Sequence, residues 1–276
     1  MFFVEVSDGV KVAVYDYNPK GKQTVLLVHG WPLSHKMYEY QINCLLDLGY
    51  RVTALDLRGF GASDTPAGGY SYDRMANDIY EVVCALDLKD FILVGFSMGG
   101  AIVLRYMNCC RGYGVKKLIL LSAAAPSWTR REGFPYGLTR EYVDQLICQA
   151  RTDRAKLAWT FSHKQLFASA QSEQIKDWFQ DIAMEASGVG TIKAACSLRD
   201  EDGRADLACV NVPTVIIHGA KDTVVSNDLA MIQQKGIKGS KLYNLANSGH
   251  GIVYDELEKF NRIFLGAVKG EVPTVS

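Results

Sequence analysis

At 276 residues, 48% of them apolar, the chain is long enough for one large domain or two small ones with a sizeable core. Its 30 basic side chains balance 30 acidic ones and no Lys/Arg run occurs, which removes the long-range attraction that nucleic acid or an anionic membrane surface would require. No uncharged apolar stretch reaches the roughly 18 residues needed to span a bilayer.

The first residues, MFFVEVSDGVKVAVYDY, alternate apolar and polar positions on both sides of Ser7-Asp8-Gly9. That pattern predicts an antiparallel hairpin over 3–6 and 10–17 at one edge of a sheet. The segment lacks the basic start and small-residue cleavage site of a secretory signal, so a cytoplasmic location is expected. Six later short runs are β-branched or leucine-rich and do not strictly alternate: TVLLVHG (24–30), RVTALDL (51–57), FILVGF (91–96), KLILLSA (117–123), TVIIHG (214–219) and KLYNLA (241–246). Apolarity without strict alternation marks strands covered on both faces. Helical stripes lie between them: Met75, Ile79, Val82, Val83 and Leu86 share one face, and Val253, Leu257, Phe260 and Phe264 share another. The alternation predicts an α/β fold, a mostly parallel sheet flanked by helices.

Residues 126–208 break the alternation. They hold amphipathic helical stretches (Val143, Leu146, Ile147, Ala150; then Ile175, Trp178, Phe179, Ile182) and three of the four tryptophans, Trp128, Trp159 and Trp178. A helical insert between two late strands is expected to form a lid over the carboxyl edge of the sheet, where open α/β sheets bind ligands. The core is then 1–125 with 209–276. The tail KGEVPTVS is expected to fray.

LVGFSMGG (93–100) sets one serine among three glycines at the end of a strand. Gly95-Phe96-Ser97-Met98-Gly99 matches the strand-to-helix turn that exposes a nucleophilic serine, with small neighbours two positions to either side. Ser97 would stand at the amino end of a helix, where the dipole favours developing negative charge. A hydroxyl needs a neighbouring base. His250, in NSGHGIVYDE after the last strand, is the candidate. The base needs an acceptor to hold its tautomer, and Asp222 in HGAKDTVVS lies just past the strand that ends at Gly219. No carboxylate follows the preceding strand, and Asp255 and Glu256 open a helix, where capping is the expected role. Oxyanion donors are expected from the backbone N–H of Met98 and of Trp31, since Pro32 has none to give. Pro32, Phe96, Trp128 and Trp159 are expected to line an apolar substrate pocket.

The other polar candidates read as structural. His29 and His218 each end a strand and are expected to hydrogen-bond adjacent loop backbone, while His35 and His163 are expected on the surface or lid. DLRGFGASD (56–64) is glycine-bearing but lacks the spaced third glycine of a phosphate loop, so Asp56 and Arg58 are expected to brace it as an internal ion pair. Seven cysteines, an odd number with no Cys-x-x-Cys, are expected to be reduced and mostly buried. They and the five scattered histidines show no metal-ligand spacing, and no metal or cofactor is expected.

Taken together, HGWPLSHKMYEYQ, LDLRGFGASDTPAGGYSYDRMANDI, LVGFSMGGAIVLRYM, HGAKDTVVS and NSGHGIVYDE resemble the α/β-hydrolases, and among them the cofactor-free haloperoxidase/arylesterase group. The chain departs from the group in Ala101, where a third glycine is frequent, and in the lid and MNCCRGYG. The resemblance implies hydrolysis of small carboxylic esters through Ser97, Asp222 and His250, with Trp31 and Met98 as oxyanion donors. It also implies perhydrolysis, in which hydrogen peroxide resolves the acyl-enzyme to a peracid; members with that activity resemble this chain at Pro32. Lactone, amide or carbon–carbon bond hydrolysis on the same triad stays open, as does a slow small-molecule receptor of this fold. Epoxide and haloalkane hydrolysis require a carboxylate where Ser97 stands. The oligomeric state is left open.

Overall fold

A computed structural model describes residues 1–271. The expectation for the tail falls largely on 272–276, outside the described residues. Eight strands form one sheet in the order β1-β2-β4-β3-β5-β6-β7-β8. They are β1 (Phe2–Glu5), β2 (Lys11–Tyr17), β3 (Thr24–Val28), β4 (Arg51–Leu55), β5 (Phe91–Phe96), β6 (Val115–Leu121), β7 (Thr214–Gly219) and β8 (Lys241–Leu245). β1 and β2 form the predicted edge hairpin, and β2 meets β4 antiparallel. Every other pairing is parallel. All residues of β3 and β5 are buried, as their unbroken apolarity predicts.

Side-chain alternation divides the core into two layers. Leu26, Val28, Leu93, Leu118 and Leu120 pack against α2 (Tyr72–Ala85) and α3 (Met98–Cys109) on one face. Val25, Leu27, Ile92, Val94 and Ile119 pack against α1 (Glu39–Asp47) and the C-terminal helix on the other. That last helical segment is not continuous. It breaks at Glu256 into a short turn (Ile252–Asp255) and the helix Leu257–Lys269.

Between β6 and β7 the chain forms α4 (Arg140–Thr152), α5 (Arg154–Thr160), α6 (Glu173–Glu185) and α7 (Gly188–Asp200), with no strand. Each start has a side-chain cap: Thr139, Asp153, Ser172 and Ser187 accept from the third residue onward. A π-turn, Phe161–Gln165, follows α5.

Three expectations are corrected. Arg58, fully buried, does not pair with Asp56. Its guanidinium makes two bonds to Asp78 (2.5 and 2.7 Å) and two to Asp8 (2.8 and 3.1 Å). A buried guanidinium with five donors needs more than one carboxylate, and those carboxylates come from distant chain. Asp56 instead accepts from His35 Nδ1 at 2.8 Å and from the Ala62 amide at 2.9 Å. His35 is therefore buried rather than superficial, stacked on Tyr15 at 3.5 Å between ring centres. The seven thiols are free, as expected, but none is fully buried; Cys84, Cys109, Cys148 and Cys209 are exposed, because apolar neighbours in sequence occupy the inward faces of the same helices.

Candidate active site

β5 ends in the middle of the sheet and α3 starts one residue later, with Ser97 alone between them. Its backbone sits at φ 53°, ψ −119°, a conformation that costs about 1–3 kcal/mol for a residue with a side chain. The surroundings hold it there: Ser97 N donates to Leu121 O at 2.9 Å and Ala124 N donates to Ser97 O at 2.9 Å. Glycine is required on both sides. A Cβ on Gly95 would stand 2.6 Å from Gly99 O, and one on Gly99 would stand 2.3 Å from His29 O. The turn therefore packs α3 directly against the end of β3.

The loop after β3 lies against the serine as well. A side chain on Gly30 would approach Ser97 Cβ and the Phe96 ring, each to 2.8 Å. Trp31 and Pro32 follow, both buried, with the Trp31 indole donating to Thr191 O at 2.9 Å. Among the described residues, neither the Trp31 nor the Met98 amide donates to another backbone carbonyl.

The loops after β7 and β8 are locked together. Lys221 N donates to Ser248 O at 2.9 Å, and Gly219 lies so close to Gly249 O that no side chain fits. Asp222 and His250 meet there, with Nδ1 and Oδ2 2.8 Å apart and both side chains fully buried. Asp222 Oδ1 accepts from the Val224 and Val225 amides, each at 2.8 Å. Burial pushes the Asp222 carboxyl up, but attraction and hydrogen bonding from His250, then His218 and the Val225 amide, outweigh it and hold the group below the usual carboxylate range. An ionised carboxylate only accepts, so His250 carries its proton on Nδ1 and leaves a lone pair on Nε2. Nε2 is buried and has no hydrogen-bond partner among the described residues. The imidazole packs on the ring of Phe96, the residue before Ser97, at 4.8 Å between centres.

His218 and His29 bond to neighbouring backbone, as their strand-end positions predict. His218 Nε2 donates to Val225 O at 2.9 Å. His29 Nδ1 donates to Gly30 O and its Nε2 accepts from Leu57 N, both at 2.9 Å.

An apolar cavity of about 30 Å³ lies beside these loops, lined by Trp31, Thr223 and Val224 from the core side and by Trp128, Leu138, Tyr142, Leu146, Leu157, Phe161 and Gln165 from 126–208. Phe161 joins the cavity to the imidazole, its ring 6.5 Å from those of Trp31 and of His250. Of the residues expected to line a pocket, Trp128 does so. Phe96 is buried behind the His250 ring and Pro32 in its turn, and neither lines the cavity. Trp159 is a correction: it is 42% exposed and stacks on His163. Leu157, Phe161 and Gln165 recur every fourth residue and face the cavity, as do Leu138, Tyr142 and Leu146. Trp159 stands two residues from both Leu157 and Phe161, about 200° around the helix. That four-residue spacing was the available signal for Phe161.

Asp255 is a second correction. It caps no helix; its carboxylate accepts from Ala168 N (3.0 Å), Ser169 N (2.9 Å), Ser169 Oγ (2.7 Å) and Gly249 N (2.6 Å). Gly251 N also donates to Leu166 O at 2.6 Å. The residues flanking His250 are thereby tied to the segment that follows Phe161.

The family model for the alpha/beta hydrolase fold matches residues 23–257. The chain is 48% identical over 239 residues to the AB hydrolase superfamily protein YisY of Bacillus subtilis (strain 168), covering 87% of this chain and 89% of that protein. It is 33% identical over 249 residues to a putative non-heme chloroperoxidase of Synechocystis, with 88% and 90% covered. The solved esterase of Exiguobacterium antarcticum superposes with a TM-score of 0.94 at 43% identity, over 97% of this chain and 99% of that one. By fold, sequence and the arrangement of its strand-end loops, the chain belongs to the α/β-hydrolase family, within the group that holds the esterases and non-heme haloperoxidases.

Proposed function

We propose that the chain hydrolyses small carboxylic esters through an acyl-enzyme on Ser97. His250 Nε2 takes the hydroxyl proton as Oγ attacks the ester carbonyl, and Asp222 stabilises the resulting imidazolium. The Trp31 and Met98 amides receive the negative charge on the former carbonyl oxygen. Collapse expels the alcohol, to which His250 returns the proton. Water, deprotonated by the same imidazole, then releases the acid. Hydrogen peroxide in place of water gives the peracid, which oxidises halides away from the protein. Residues 126–208 act as the cap over the site, and the small apolar cavity favours short acyl groups.

The observation that carries this reading is the buried 2.8 Å contact of His250 Nδ1 with Asp222, which leaves an unpartnered lone pair on Nε2, next to the strained turn at Ser97. Similarity to an esterase and to a chloroperoxidase supports it. The test is a series of p-nitrophenyl esters with the native chain and Ser97→Ala, together with fluorophosphonate labelling. Acetate is expected to be the best acyl group. Ser97→Ala is expected to lose at least about 10⁴-fold in rate and all labelling. Full activity in that variant would overturn the mechanism. Bromination of a chromogenic acceptor in acetate and peroxide, lost in the same variant, tests the peracid branch.

A further inference from the structure

The far end of α3 carries two thiols side by side. Cys109 is its last residue, Cys110 follows, and their Sγ atoms lie 3.5 Å apart. They open on a surface groove of about 260 Å³ whose other walls are Asn77, Tyr80, Arg111 and Tyr113. The Tyr80 and Tyr113 rings meet edge to face there, 5.5 Å between centres. The turn that presents them is braced: Tyr113 N donates to Cys110 O at 3.1 Å, and the Tyr106 hydroxyl donates to Tyr113 O at 2.7 Å. Hydrogen bonding from Cys110 holds the Cys109 thiol below its ordinary range, while the same contact and burial push Cys110 up.

Direct joining of these sulfurs is unfavourable. Consecutive Cα atoms are about 3.8 Å apart, whereas disulfides usually span about 4.4–6.8 Å between Cα atoms. A single soft atom bound to both sulfurs escapes that constraint, because it bridges them without drawing them to bonding distance. Two thiolates are also the donors that soft acceptors prefer. An acceptor carrying an aromatic substituent would place it in the groove, against the two tyrosines.

We propose that Cys109 and Cys110 form a chelating dithiol site for trivalent aryl arsenicals, with the aryl ring held at Tyr80 and Tyr113. Two As–S bonds form, the two S–H bonds and the As=O bond break, and one water leaves. Arsenic stays trivalent and nothing is oxidised. The site stands at the opposite end of α3 from Ser97, about 18 Å along the helix axis, and does not depend on the proposed ester chemistry.

Phenylarsine oxide, titrated into the full chain free of other thiols, tests this by intact mass and peptide mapping. One aryl-arsenic per chain is expected, on the peptide holding Cys109 and Cys110. Cys109→Ser and Cys110→Ser, confirmed folded by circular dichroism, should each weaken binding about 100-fold or more, the loss when a chelate becomes a single thiolate. Tyr113→Ala should weaken phenylarsine oxide more than arsenite. An adduct confined to the exposed Cys84, Cys148 or Cys209, or unchanged affinity in either serine variant, would overturn the site. Equal losses for the two ligands in Tyr113→Ala would overturn the aryl pocket.

Discussion

His250 donates Nδ1–H to Oδ2 of Asp222 across 2.8 Å, and both side chains are fully buried. The other carboxylate oxygen is taken by two backbone amides, so the acid has no freedom to rotate away. Replacing it with asparagine keeps the shape and inverts the chemistry. An amide NH₂ facing Nδ1 forces the proton to Nε2, where a base needs its lone pair. Asp222→Asn is expected to fold normally and to lose about 10⁴-fold in kcat with little change in KM. Steady-state kinetics on p-nitrophenyl acetate decides this, and a loss below tenfold would remove Asp222 from the mechanism.

His29 gives the fold an acid limit. Desolvation lowers its pKa to about 4, against the attraction of Asp56 and a bond to Gly30 O. Protonation would place a second proton on Nε2, which accepts from Leu57 N. The folded-state pKa lies below the unfolded one, so between the two values the unfolded chain binds the extra proton. Stability contributed by neutral His29 is complete above about pH 6.5 and is lost as pH falls toward 4, by about 3 kcal/mol in total. Urea unfolding from pH 7 to 4 should therefore show a steeper loss in the native chain than in His29→Gln. Identical slopes would assign the acid sensitivity to other groups, such as His218, which burial also lowers.

How much of this was legible beforehand depended on whether the cause was local. Strands β3 and β5 announced themselves because burial on both faces leaves no polar position to interrupt an apolar run, whereas β8, at the sheet edge, is exposed at Lys241 and Asn244 and carries a weaker signal. The turn at Ser97 was legible for a similar reason, since the glycines that relieve it are two residues away. Arg58 was misread because its carboxylates, Asp8 and Asp78, are 50 and 20 residues distant, and proximity in sequence offered Asp56 instead. Asp255 was misread the same way: a carboxylate opening a helix looks like a cap, and only tertiary structure brings it the amides of Ala168 and Ser169. For the tryptophans of 126–208, composition said that large apolar surface was present, and helical phase decided which of it turned inward.

The Asp255 carboxylate makes its own prediction. Four donors converge on it from both sides of the seam between the His250 loop and the segment after Phe161. Asparagine supplies one acceptor oxygen and turns an NH₂ toward backbone amides, leaving buried donors unpaired at about 1–3 kcal/mol each. Asp255→Asn is expected to lower both the urea midpoint and kcat, because the residue beside His250 loses its anchor. If kcat stays native while stability falls, the tie is structural only.

Phe161 and Trp159 separate cavity from surface within one turn of helix. Phe161 is buried and lines the cavity; Trp159 is 42% exposed and does not. Phe161→Ala removes a wall shared with Trp31 and the imidazole, at about 3–5 kcal/mol of stability. The cavity would then accept longer acyl chains, and the kcat/KM ratio of p-nitrophenyl hexanoate to acetate should rise. Trp159→Ala removes an exposed ring that stacks on His163 beneath Lys164 and does not line the cavity, so its ratio should match the native chain, with stability within about 0.5 kcal/mol. A shift in chain-length preference from Trp159→Ala, with none from Phe161→Ala, would place the acyl group on the outer side of α5 and require a different route from cavity to serine.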